Sequence, residues 1–175
     1  MRLDTPDYIV PVVGWRVWLV TEHGNEFLLR SVLYPSLWIP REPMIGCCAP
    51  ARPGRVLRHT APGLECSCGV YAAADFHDAL SYFDGHSPGC EDAVYRVIGR
   101  VSLWGSVVEC ARGWRASHAY PERIYVPTRS LDRSWTLAAG DVALALTDYG
   151  VPVELLDGGT KRHVARVLAD LRPAA

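Results

Sequence analysis

The segment from Cys47 to Ala72 constrains the fold of this chain more than any other stretch. Four of the six cysteines and one histidine lie between positions 47 and 68. Prolines and glycines interrupt the same segment repeatedly: Pro50, Pro53, Gly54, Pro62, Gly63 and Gly69. These residue types break regular helices and strands, so the segment needs another means of attachment.

A zinc ion would supply that attachment. Zn²⁺ prefers a tetrahedral shell of thiolates and imidazoles. One thiolate from Cys47 or Cys48, the imidazole of His59 and the thiolates of Cys66 and Cys68 provide such a shell. The C-x-C spacing makes a tighter loop than the commoner C-x-x-C knuckle. A site with four protein ligands has no open position, which predicts a structural role for the zinc.

Charge and hydropathy limit which classes of partner and which cellular compartment we expect. Eighteen basic and nineteen acidic side chains give a net charge of −1, which argues against nucleic acid as a partner. No apolar run approaches the roughly 20 residues that cross a bilayer, so we expect no membrane association. The first residues, MRLDTPDYIVPVVGW, are typical of a strand and not of a signal peptide, so we expect a cytoplasmic protein. Without an export signal, the cysteines favour metal binding or free thiols over disulfides.

The first third of the chain predicts a β-hairpin followed by an extended crossing. Residues 12–20 and 26–33 are rich in β-branched and aromatic residues and flank a polar turn. Three prolines keep residues 34–43 out of a helix or a central strand. Trp38 lies in the middle of this crossing, where its indole either anchors the segment to the core or stacks on a ligand.

The middle of the chain predicts a short helix and a bent hairpin. Residues 75–83 have apolar side chains at helical spacing, which predicts a helix, and we expect Asp75 to be its N-cap. Residues 93–110 are too long for one ordinary strand, so we expect a bulge or bend at Gly99 or Gly105. Residues 114–126 return as its partner strand. Such a hairpin builds a small barrel or half-barrel.

The tail predicts helix, strand and helix. Asp141 caps a helix that ends at Gly150, VPVELL forms a short strand, and Thr160 begins a second helix. Residues 128–140 are a polar connector. The loop at 84–92 contains His86 and Cys90, which are read as surface residues or as a further ligand pair.

At 175 residues the chain fits a single domain, 1–175. The predicted fold class is α+β, with a strongly bent antiparallel sheet or small half-barrel and C-terminal helices. The β-rich core spans 12–126 and carries the cysteine loop 47–68, and the tail spans 141–171.

Three motifs together resemble a group of uncharacterised bacterial single-domain proteins. They are GWRVW at 14–18, HTAPGLECSCGVYA at 59–72, and LWG at 103–105 continuing to GWRASHAYP at 113–121. The resemblance covers most of residues 12–126 and supports this segmentation. It implies no activity.

Aromatic and arginine residues predict a binding module as one class of function. Aromatic rings could line a pocket and nearby guanidinium groups could meet an anionic group of a ligand. The candidate residues are Trp38, Trp104, Arg112, Trp114, Arg115 and Tyr120. Such a surface would recognise a small ligand or a protein partner. The alternative is that the rings are core packing and the arginines a solvated face.

A cysteine-dependent enzyme is the alternative class. Either Cys66 or Cys68 would be the nucleophile. The candidate bases are His59 and His118, and the residues that would orient the base are Asp75 and Glu109. The spacing does not decide between the binding module and the enzyme.

Overall fold

The computed structural model describes residues 10–48, 59–83, 92–128, 137–157 and 161–170. Strands and helices follow one another along these ranges as β1 (Val12–His23), β2 (Glu26–Ser31), β3 (Leu37–Trp38), β4 (Met44–Ile45), β5 (Val70–Ala73), α1 (Phe76–Leu80), β6 (Ala93–Cys110), β7 (Gly113–Pro127), α2 (Ala139–Leu146), β8 (Val153–Leu156) and α3 (Lys161–Asp170). A single 3₁₀ turn, Thr147–Tyr149, follows α2.

The strands form one strongly curved sheet in a mixed α+β fold, as predicted. β1 pairs antiparallel with β2 and β6, and β6 pairs antiparallel with β7. β5 bridges β1 and β7, so that β1, β5, β7 and β6 close a ring of pairings. Both predicted hairpins are therefore confirmed. β8 pairs with β7 in parallel, which departs from the purely antiparallel sheet that we expected.

The pairing of β6 with β7 contains two irregularities. The register shifts between Arg100 and Val101 and again between Trp104 and Val107. Gly105, in the second shift, has φ +73, a conformation that favours glycine, so the bend predicted there is confirmed.

The irregularity expected at Gly99 lies one residue further along, between Arg100 and Val101, because Gly99 itself is paired regularly with both neighbouring strands. Glycine is required at position 99 for close approach. A Cβ at Gly99 would overlap the carbonyl oxygen of Arg123 and lie 3.0 Å from the Trp18 ring.

Hydrophobic side chains cover both faces of the sheet. Alternation along β1 sends Trp18 and Val20 to one core and Val17 and Leu19 to the other. The first core also contains side chains of α2 and the second contains side chains of α1 and α3. Trp38 belongs to the first core.

The helices begin and end near the predicted positions, with one correction. The carboxylate of Asp75 accepts a hydrogen bond from the backbone N–H of His77 at 2.7 Å, which confirms it as the N-cap of α1. Asp141 is not a cap, because α2 begins earlier and Asp141 lies in its first turn. Gly150 ends this helical region in the left-handed conformation, as expected.

No helix in the described ranges has the length and apolar content needed to span a bilayer. The predictions for His86 and Cys90, for most of the 128–140 connector and for Thr160 as the start of the last helix fall outside the described residues.

Candidate metal centre

β4 and β5 are two halves of one interrupted strand on the same edge of β7. Ile45 pairs with His118, the Gly46 amide donates to the carbonyl of Ser117 at 2.7 Å, and Val70 pairs with Ala116. The chain therefore leaves the edge after Gly46 and rejoins it beside the point of departure. A Cβ on Gly46 would lie 2.8 Å from the Ala116 carbonyl oxygen and 3.3 Å from the Val70 nitrogen, so only glycine fits this junction.

Four potential ligands meet where the chain departs and returns. The ligand atoms of Cys48, His59, Cys66 and Cys68 all lie within 4.8 Å of one another, and we call this group the CHCC cluster. The Cys48 Sγ lies 3.2 Å from the His59 Nε2 and 3.7 Å from the Cys66 Sγ. Cys48 follows β4, whereas Cys66 and Cys68 precede β5. We call the segment between Gly46 and Val70 the excursion. The cluster thus joins the first and last parts of this segment, which are its two arms.

The Cys48–Cys66 distance matches that of two sulfur ligands on one tetrahedral metal ion, and the Cys48–His59 distance is shorter than the corresponding sulfur–nitrogen distance. Zinc–sulfur bonds of about 2.3 Å place two sulfur ligands about 3.8 Å apart, and a sulfur and a nitrogen ligand about 3.6 Å apart. A disulfide would require a sulfur–sulfur distance of about 2.05 Å, so Cys48 and Cys66 are not bonded. Three cysteines and one histidine therefore form a group that could hold a metal ion.

The loop before Cys66 folds back onto the cluster. The Gly63 amide donates to the Cys68 Sγ at 3.2 Å, and the Cys66 amide donates to the Gly63 carbonyl at 3.2 Å. An amide aimed at a cysteine sulfur is what the C-x-x-C knuckle supplies, and here Gly63 supplies it to a C-x-C pair. A Cβ on Gly63 would also lie 2.5 Å from the His59 ring, so a glycine is needed for the imidazole to approach.

His59 presents one nitrogen to the cluster. Its Nδ1 lies 3.0 Å from the Thr60 carbonyl oxygen, and a carbonyl accepts only from a protonated nitrogen. The neutral ring therefore carries its proton on Nδ1 and turns the lone pair of Nε2 toward Cys48. Such a backbone partner is the usual support of a metal-ligating histidine.

The thiols influence one another's ionisation. The backbone amide of Cys68 and then the imidazole of His59 lower the pKa of Cys66 to about 7. Desolvation and then the neighbouring thiols of Cys66 and Cys68 raise the pKa of Cys48 to about 11. The carbonyl of Thr60 and then Cys66 raise the pKa of His59. The pKa of Cys48 is thus raised and that of Cys66 is lowered. A bound divalent cation would stabilise the thiolate forms of both cysteines.

The structure separates the two candidate ligands that precede the loop. Cys48 belongs to the cluster, whereas its neighbour Cys47 is exposed and lies outside it. Of the two alternatives, the cluster therefore contains Cys48 and not Cys47.

The predicted aromatic and arginine surface is corrected at two residues. Trp38 is 1% exposed, packs edge-on against Trp18 at 5.5 Å, and donates from its indole N–H to the Ser31 Oγ at 3.0 Å. It anchors the crossing to the core and cannot line a surface. Arg115 is buried, and its guanidinium donates to backbone carbonyls of the loop that carries Cys66 and Cys68.

The other four predicted residues keep some exposure. Arg112 lies 3.9 Å from the Asp78 carboxylate, and Trp114 packs on the border of the first core. The Tyr120 hydroxyl donates to the carbonyl of Tyr149 at 2.8 Å. Trp104 stacks on His118, with ring centroids 5.9 Å apart and an interplanar angle of 20°. A ligand-binding role of these four residues stays a prediction.

Sequence reasoning missed Tyr71 as a support of the C-x-C pair and placed Arg115 on a ligand-binding surface instead. Tyr71 donates from its hydroxyl to the Ser67 carbonyl at 2.6 Å, between the two cysteines of the C-x-C pair. Tyr71 and Arg115 are directly paired on β5 and β7. The C-x-C loop therefore lies over this pair. The only signal in the sequence was the proximity of Tyr71 to Cys68.

Most of the residues proposed to act as the base of an enzyme, or to orient that base, lie outside the CHCC cluster. His118 lies outside the CHCC cluster, and its Nδ1 is 2.9 Å from the Ser117 Oγ. Asp75 is engaged as a helix cap, and Glu109 pairs with Trp114 on the hairpin. His59 alone remains beside the thiols.

Fold and site together define an α+β domain whose curved sheet carries a candidate metal centre at an interrupted edge strand. Comparisons with protein families, with curated proteins and with solved structures find no match to this chain.

Proposed function

We propose that the chain is a zinc-stapled binding module. One observation carries the proposal: three thiols and one imidazole converge to within 4.8 Å where a strand is interrupted. Soft thiolates with one imidazole select zinc over the hard cations magnesium and calcium. Four protein ligands fill a tetrahedral shell, so the zinc would be structural.

The zinc would close the base of the excursion between Gly46 and Val70. Without a bridge, β4 and the start of β5 must be brought together at the cost of loop-closure entropy. Because the site is assembled only when both halves pair with β7, the free energy of zinc binding would stabilise the folded state. A reducing compartment such as the cytoplasm would keep the thiols available for the ion.

Next to the cluster, three side chains provide a surface for recognition. Ile45 and Trp104 are each directly paired with His118, so the three side chains share one face of the sheet. We call them the outer row. Ile45 is 63% exposed although it is apolar, and the stacked rings of Trp104 and His118 extend the row. The outer row would bind an apolar or aromatic group of a small ligand or protein partner.

Metal analysis tests the staple. Protein purified without added zinc should contain close to one zinc ion per chain. Removal of the ion by a chelator should lower the unfolding temperature, and returning zinc should restore it. Metal-free protein that unfolds cooperatively at the same temperature with and without zinc would contradict the proposal.

An NMR titration tests the outer row. Each tryptophan indole N–H gives one resonance, and Trp104→Phe identifies that of Trp104. Titration with a library of aromatic fragments should shift this resonance more than that of Trp38, which is buried. Shifts confined to other indoles, or no shift with any fragment, would remove the outer row from the proposal.

A thiol-dependent enzyme is the second candidate, and the pKa of Cys66 favours it. A thiolate that forms near pH 7 beside an imidazole is the arrangement of a cysteine nucleophile. The same thiolate is also the form that ligates a metal. Rapid alkylation of Cys66 in protein as purified, with no bound metal, would favour the enzyme.

A further inference from the structure

Arg115 carries a buried positive charge directly behind the C-x-C pair. Its side chain lies on β7 and is only 7% exposed. In the part of the chain that the structure describes, no carboxylate lies within ion-pair distance of its guanidinium. A buried charge without a counter-charge is costly, so the surrounding groups must compensate it.

Backbone carbonyls of the ligand loop provide part of that compensation. The Nη1 atom donates to the carbonyl oxygens of Gly63 at 3.2 Å and Cys68 at 3.1 Å, and also to that of Cys66. One guanidinium nitrogen thus holds the carbonyl groups of both C-x-C cysteines. The Nε atom lies 3.4 Å from the Sγ of Cys110.

The negative charge of the proposed metal centre would provide the rest of the compensation for the buried guanidinium. Three thiolates and a divalent cation with a neutral imidazole leave a net charge of −1. The guanidinium brings the centre and its surroundings to neutrality.

We propose that Arg115 is the positioning residue of the metal centre, fixing the backbone of Cys66 and Cys68 and neutralising the tri-thiolate site. This inference rests on the proposed metal site. Arg115 would ligate nothing itself and would act through the carbonyl groups that it holds. Groups behind metal ligands in other proteins commonly change metal affinity by about 10- to 100-fold.

Lysine should not replace arginine at this position. The guanidinium reaches three carbonyls and a sulfur from two of its nitrogens, whereas an ammonium is a single point donor on a flexible stem. Gly69 lies against the stem, since a Cβ there would be 3.5 Å from the Arg115 Cβ. Arg115→Lys therefore keeps the charge and the volume but loses the simultaneous contacts.

The test compares Arg115→Lys with Arg112→Lys, a matched control on the same hairpin. The Arg112 side chain is 73% exposed and lies outside the cluster. Zinc affinity is measured by competition with a chromogenic chelator, and the site geometry by the visible absorption of bound Co²⁺. We expect Arg115→Lys to weaken zinc binding at least tenfold and to alter the Co²⁺ spectrum. Arg112→Lys should match the wild type in both.

The outcomes separate this inference from the proposed function. Wild-type protein that binds neither Zn²⁺ nor Co²⁺ would remove the metal site itself. Wild-type binding together with equal affinity and an identical Co²⁺ spectrum in Arg115→Lys would leave the site and overturn the role of Arg115. A merely structural residue would lower the stability of metal-free protein without changing the Co²⁺ spectrum, and that result would also overturn it.

Discussion

The Sγ atoms of Cys48 and Cys66 lie 3.7 Å apart, the separation of two ligands on one zinc ion. The two cysteines come from opposite arms of the excursion that interrupts the edge strand of the sheet. Cys47, the immediate neighbour of Cys48, takes no part in this contact. Two adjacent cysteines thus occupy different environments, which provides a natural pair of variants.

Cys48→Ser should lose zinc, whereas Cys47→Ser should keep it. Serine preserves the size of the side chain but removes the thiolate that the ion requires. We expect at least a tenfold loss of zinc affinity in Cys48→Ser, or about 1.4 kcal/mol, with a lower unfolding temperature. Chelator competition and thermal unfolding measure both effects. Equal zinc affinity in the two variants would remove Cys48 from the ligand set.

Trp38→Ala should destabilise the fold far more than Trp104→Ala. Trp38 is fully packed in the first core, and truncation of such a residue costs about 3–5 kcal/mol. Trp104 lies half-buried in the outer row, so its loss should cost about 1 kcal/mol. Urea unfolding measures the two free energies. Similar values would mean that Trp104 also belongs to the core.

Gly99→Ala should destabilise the sheet, whereas Gly140→Ala should not. A methyl group at Gly99 would overlap the Arg123 carbonyl oxygen, and the resulting strain should cost about 1–3 kcal/mol. Nothing lies within 4 Å of the corresponding position at Gly140, which is in α2. Alanine there should stabilise the protein by about 0.5–1 kcal/mol through its higher helix propensity. A stable Gly99→Ala variant would show that β6 and β7 can separate at this point.

The stability of the wild type should fall above pH 10 more steeply than that of Tyr149→Phe. Burial strongly raises the pKa of Tyr149 above its ordinary value of 10.0. The phenol donates to the Trp38 carbonyl and accepts from the Leu29 amide at 2.8 Å. Above pH 10 the unfolded chain releases the tyrosine proton while the folded protein retains it. The unfolding free energy therefore decreases as the pH rises.

The contribution of one such proton is at most about 1.4 kcal/mol per pH unit. Below pH 10 both states are protonated, so this contribution is fully present there. Because burial also raises the pKa values of Tyr71, Tyr95 and Tyr125, the measured quantity is the difference between wild type and Tyr149→Phe. Urea unfolding at a series of pH values provides it. Parallel curves would contradict the assigned burial of the phenol.

Local patterns in the sequence were sufficient for most of the fold. The β-branched and aromatic runs identified both hairpins, Asp75 identified the start of α1, and Gly150 identified the end of the helical region after α2. Each of these signals acts within a few residues. The tryptophans were harder, because the sequence does not show which face of a strand is covered. That depends on helices far away in the chain, and Trp38 and Trp104 accordingly differ in burial.

The ligand types of the candidate site could also be predicted, but not its supports. Cysteine and histidine spacing identified the CHCC cluster but did not distinguish Cys48 from Cys47 as its first ligand. The choice between them depends on where β4 ends against β7. The role of Arg115 depends on the same non-local pairing. An arginine on a strand carries no mark in the sequence that distinguishes a solvated side chain from one that holds a distant loop.

The junction between Gly46 and Val70 also bears on how this domain could tolerate change. Both ends of the excursion meet at one place on the edge of β7, and the same edge positions both arms of the CHCC cluster. A substitution that disturbs the backbone pairing of Ile45 or Val70 would therefore reach the ligand atoms, although neither residue belongs to the cluster. Changes in metal affinity would in this way arise from residues that never contact the ion.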